Sequence, residues 1–138
     1  MPRALVVLQR LRDLARKTAE AELRRAEGER DRQQERVDLI ADAMATARAA
    51  CGAGDLLTLD AYHSFRLQGE MAARREDTRL HHRSREVDAR SQRHLSTVRD
   101  QLAVESLLRQ RDEEDRIEAN RREAAQMDEI GSRLRSHA

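Results

Sequence analysis

From Leu8 onward the apolar or small positions recur at Leu8, Leu11, Ala15, Ala19, Leu23 and Ala26. They pass through the polar Arg30 and Gln33 and resume at Val37, Ile40, Met44 and Ala47. Steps of three and four keep such positions on one face of an α-helix and form the seam of a coiled coil. Three consecutive steps of four between Leu11 and Leu23 predict a stutter, a place where a left-handed supercoil unwinds. The segment CGAGD at 51–55 carries two glycines, which permit the backbone geometry of a helix stop. A second helix can start at Asp55 or Thr58, both competent caps, and the single Gly69 and Gly131 are tolerated within it. The predicted elements are a helix over about 3–50, a turn over about 51–57 and a helix over about 58–136, in one coiled-coil domain spanning 1–138.

So short a connection favours antiparallel neighbours, and the fold class expected is all-α, a long two-helix coiled-coil hairpin. With the turn centred near Gly54, a residue and its facing partner have numbers that add to roughly 108. The polar stretch 24–36 then faces the equally polar 72–84. The stutter near Ala15 and Ala19 faces a second set of fours, Val87, Ser91, Leu95, Val98 and Leu102, as a shared seam demands. About thirty residues at the C-terminal side extend past the first helix, some 45 Å of helix without an internal partner. Along that overhang, in and around NRREAAQMDEI, the positions Ile117, Asn120, Ala124, Met127, Gly131 and Leu134 keep heptad spacing with Ile130 beside them. An apolar stripe lacking an internal partner implies an external one, with fraying or self-association of tails as the alternative.

Composition supports helices and limits the core. Of 138 residues 38% are charged and the aromatics are one Tyr and one Phe, so the side chains that dominate ordinary cores are nearly missing. High charge with few large apolar residues also marks disordered chains, but the periodic apolar spacing argues against that reading. With 27 basic against 26 acidic residues, the chain lacks the basic surplus that nucleic-acid binding needs. Lys17 is the sole lysine, a bias that genomic base composition explains. The single cysteine, Cys51, cannot form an internal disulfide, which fits a reducing compartment. The apolar run at 4–8 is too short for a membrane span or secretory core, and Asp13 and Glu20 interrupt the start as an organellar transit peptide, so a cytosolic location is expected.

Catalytic chemistry is absent from the inventory: there is no Gly-rich phosphate loop, paired-Cys metal signature or nucleophile elbow, and no cofactor is implied. His81 and His82 lie near Asp77 and Glu86, but adjacent histidines on a helix point in different directions and read as a solvated face. His94 reads as a polar seam residue. Tyr62 and Phe65, in AYHSFRLQGEMAA, sit one helical turn apart just after the turn. They either plug the end of the coiled coil or anchor a partner, and a two-helix pair is too thin to bury two rings completely.

The start LVVLQRLRDLARKTAEAE, the aromatic pair after a Gly-containing turn and the ending NRREAAQMDEIGSRLR together resemble the FliJ family of flagellar type III export proteins. The resemblance covers most of the chain, and the Arg- and Glu-rich run into Met127, Asp128 and Glu129 is its most specific part. It implies a nonenzymatic antiparallel coiled coil in the cytoplasm, peripheral to the membrane through its partners and similar to the central stalk of rotary ATPases. The partners it implies are the hexameric export ATPase, the cytosolic domain of the export gate and free substrate chaperones, with no nucleic acid. By position Phe65, Gly69, Ala72 and Glu76 would match the gate-facing surface; Tyr62, from the aromatic pair, and Ile117, Met127, Asp128, Glu129 and Ile130, from the tail, complete the expected partner-binding residues. Gly69 and Glu76 depart from the larger apolar and neutral polar residues expected there. The equivalent stalk of a virulence or symbiosis type III system and a generic coiled-coil scaffold are the alternative readings.

Overall fold

The computed structural model describes residues 3–51 and 56–137, which form two α-helices, α1 (Arg3–Cys51) and α2 (Leu56–Ser136). No strand occurs among the described residues. The expected stop at Gly52 and Gly54 and the cap at Asp55 lie outside them. α2 is already helical at Leu56, so Thr58 lies inside the helix rather than at its cap. The chain divides into two compact units, Thr18–Leu95 and Met1–Lys17 with Ser96–Ala138. In each, a stretch of α1 packs antiparallel on a stretch of α2, the two-helix hairpin expected.

In the Thr18–Leu95 unit, Arg83 bonds Glu29 at 2.8 Å and Arg90 bonds Glu22 at 3.0 Å. Gln33 Nε2 donates to the Glu76 backbone carbonyl at 3.1 Å and also to the Glu76 carboxylate. In the other unit Arg12 bonds Asp100 at 3.1 Å and Gln101 donates to Asp13 at 3.2 Å. The facing numbers add to about 112 rather than 108, one helical turn beyond the expected register. Side-chain direction accounts for the offset. Every Cα–Cβ bond leans toward the N-terminus of its own helix, so in an antiparallel pair both tips reach back and contacts join residues numbered higher than those at one backbone level.

The seam also departs from the apolar pattern. Along α2 it runs Leu80, Arg83, Val87, Arg90, His94, Thr97, Gln101, Val104 and Leu108, alternating threes and fours, all buried or half-buried. In α1 the buried Ala19, Ala26 and Gln33 lie seven apart. Leu11 is 58% exposed and Leu102 54%, and Leu95 is exposed as well, so the stutter drawn through Leu11 and the matching fours through Leu95 and Leu102 do not exist at the interface. An unbroken heptad keeps both helices facing each other, and that continuity outweighs the gain from burying those three leucines at the cost of a local unwinding. Polar residues are tolerated on the seam because their stems cover apolar surface while their heads bond across it.

Candidate docking surfaces

In the Thr18–Leu95 unit, α2 carries the aromatic pair one helical turn apart. Tyr62 is half-buried, its ring tilted against His63 with centroids 6.0 Å apart. It lines a shallow groove of about 430 Å³ with Arg66 and Glu70, floored by Ala41, Ala45 and Ala49 of α1. Three alanines at four-residue spacing leave that side of α1 low enough for the groove to form. Phe65 stands 42% exposed, so the pair of helices leaves a substantial part of its ring in water.

The other residues of this face are engaged inside the hairpin. A Cβ placed on Gly69 would sit 3.0 Å from Met44 Sδ and 3.2 Å from Met44 Cγ, so glycine makes room there for the Met44 side chain. Ala72 is half-buried. Glu76 takes the amide protons of Gln33, and that hydrogen bond, with the positive charges of Arg79, Arg36 and Arg75, holds its carboxyl below the ordinary value of 4.5. The two departures from the family pattern, Gly69 and Glu76, thus answer to Met44 and Gln33 on α1. Sequence reasoning placed Gln33 and Met44 on the seam but did not foresee their contacts with Glu76 and Gly69.

The second surface lies in the other unit. Every residue of α2 from 109 to 130 is exposed, including Ile117, Asp128, Glu129 and Ile130, with Met127 65% exposed. Ion pairs along the helix, Glu113 to Arg116 and Glu129 to Arg133, each at 2.7 Å, support it locally. At about 100° per residue, the stripe through Ile117, Ala124, Met127 and Leu134 is centred roughly 150° from the seam direction given by Val104 and Leu108. Continuing the seam row instead meets Arg111, Asp115, Glu118, Arg122, Ala125 and Glu129, charged at every position but the small Ala125. The apolar stripe is therefore a new face on the far side of α2 from α1, and a partner that covers it approaches from that side.

Among the described residues no group of three or more His, Cys, Asp or Glu is placed to hold a metal ion, and no helix is long and apolar enough to cross a membrane. His81 and His82 are both exposed. The whole chain, residues 1–138, matches the family model described as flagellar FliJ protein. The chain belongs to the FliJ family. It is a component of flagellar type III protein export, in a family of structural rather than enzymatic parts. No characterised protein and no solved structure matches it. FliJ membership agrees with the three sequence anchors and gives the exposed stripe on α2 a biological setting.

Proposed function

We propose that this FliJ-family chain is a stalk-like cytoplasmic regulator of the hexameric export ATPase, peripheral to the membrane, that links the ring to the export gate and to substrate chaperones. The observation that carries the reading is the fully exposed run 109–130 of α2, with Ile117, Met127 and Ile130 uncovered by its own chain. Exposed apolar stripes rimmed by charge mark places where another protein docks. The ring contact is assigned to this tail, with Asp128 and Glu129 at its polar edge.

Phe65, exposed one helical turn from Tyr62, is the anchor assigned to the gate contact. Aromatic side chains supply large contact area at low entropic cost, so one exposed ring can dominate such an interface. Gly69 and Glu76 support it from behind by setting how α2 sits on Met44 and Gln33. A single stalk meets the subunits of a six-fold ring inequivalently, and contacts that differ between nucleotide states couple the two.

The test is ATP hydrolysis and ring assembly by the purified export ATPase with and without this protein. Stimulation by the wild type and at least about tenfold weaker action of Met127→Glu are expected, from the cost of placing a charge in an apolar contact. If the wild type alters neither hydrolysis nor oligomerisation, the reading is wrong.

A further inference from the structure

We propose that two copies of this chain pair through the tails of α2, antiparallel, along the stripe on the side away from α1. The inference rests on that stripe being a docking face and names a second copy as an occupant. Its support is self-complementarity. Numbers adding to about 251 set Ile117 against Leu134, Asn120 against Gly131 and Ala124 against Met127, and each layer occurs twice about a two-fold axis. Two of the three layers are complementary in size, with the bulky Met127 over Ala124 and the glycine receiving Asn120, and the third joins the large apolar Ile117 and Leu134.

Charge selects the same arrangement. In this register Arg121 of one copy lies beside Asp128 of the other, and Arg135 beside Glu114. Among the described residues neither Arg121 nor Asp128 makes an ion pair within its own chain, although their neighbours Arg116 and Arg133 do. The run 112–118 carries five acidic residues and one basic, whereas 132–136 carries two basic and none acidic. Antiparallel pairing brings those opposite ends together, and parallel pairing would stack like on like.

Gly131 gives an independent indication. A glycine inside a helix costs about 1 kcal/mol relative to alanine. Nothing in the free chain requires it, because a Cβ there would meet only Arg135 Nη2 at an ordinary 3.7 Å. Close approach by another side chain is the remaining use of the space, and Asn120 of the second copy fills it.

Sedimentation of the full chain over about three decades of concentration tests the pairing. The expected wild-type mass rises from 15.9 kDa toward twice that value. Met127→Glu is expected to weaken association at least about tenfold, and Arg121→Asp about fivefold. The double variant Arg121→Asp with Asp128→Arg, which only exchanges the two charges, should recover wild-type association. Helix content of each variant is followed by circular dichroism, and all three positions are exposed, so folding is retained. A mass of one chain at every concentration overturns the proposal, as does a charge exchange that fails to restore pairing. No ATPase is needed, so this inference and the ring-regulator reading fail separately.

Discussion

Replacing Leu108 and Leu102 by alanine, one at a time, separates a seam set by unbroken sevens from one set by the largest apolar residue available. Leu108 is 6% exposed and Leu102 54%, and both belong to the same unit. Truncating a buried leucine costs about 2–5 kcal/mol, and the open flanks of a helix pair place Leu108→Ala near the lower end, about 2–3 kcal/mol. Leu102 already leaves half its surface in water, and alanine gains a few tenths of a kcal/mol in helix propensity, so its net cost is at most about 0.5 kcal/mol. The few buried apolar residues are mostly small, Ala19 and Ala26 among them, so a loss of 2–3 kcal/mol is a large part of the total. The assay is urea unfolding followed by ellipticity at equal ionic strength, comparing midpoints and slopes. If Leu102→Ala lowers the midpoint as much as Leu108→Ala, the heptad seam drawn through Gln101, Val104 and Leu108 is wrong.

Gly69→Ala is expected to gain up to about 1 kcal/mol of helix propensity, less a few tenths for displacing Met44, and combining it with Met44→Ala should release that penalty in a double-mutant cycle. Glu76 and Asp13 both have carboxyls held below their ordinary values of 4.5 and 3.8, the first by Gln33 and the second by Lys17 and Arg16. A lowered folded value means stability present above the unfolded value and lost as pH falls through the folded one, so thermal midpoints should drop below about pH 4.5. Gln33→Met should flatten that acid limb, and an unchanged limb would remove Gln33 as its cause. Met127→Glu, on the exposed stripe, should shift stability by no more than about 0.5 kcal/mol, whereas an unfolded variant would place Met127 in a core.

Most of the fold could be read from the chain because it depends on period rather than on particular contacts. The spacing from Ala15 to Ala47 lies on the interface throughout, the polar Arg30 and Gln33 included. Leu11, Leu95 and Leu102 were misplaced for one shared reason: choosing the bulkiest residue at each step breaks the period, and a helix pair conserves the period first. The register shift had a different origin, since facing residues were counted at the backbone while contacts form at side-chain tips. At the site, the exposure of the tail stripe followed from spacing, and that of one of the two aromatic rings, Phe65, from the thinness of a helix pair. The engagement of Gly69 by Met44 did not, because a glycine carries no sign in sequence of what occupies the space it leaves. The direction of the tail stripe was available by counting 100° per residue from the seam, but only once Val104 and Leu108 had located the seam.

The distribution of apolar bulk bears on function more than its total does. In the unit formed by 1–17 and 96–138, the interface takes Leu5, Leu8, Arg12, Ala15, Gln101, Val104 and Leu108, while Val7, Leu11, Leu14, Leu102 and Leu107 remain outside. A coiled coil that had only to hold itself together would place those leucines inside and its charges outside. Here small and polar residues fix direction and register through bonds such as Arg12 to Asp100, and much of the large apolar area is left in water. The hairpin is therefore specified more strongly than it is stabilised. Surface of that kind lowers its free energy by being covered, so the same sequence choice that weakens the hairpin supplies the driving force for association. The stripe at Ile117, Met127 and Leu134, exposed along α2, extends this inversion, and association would bury it.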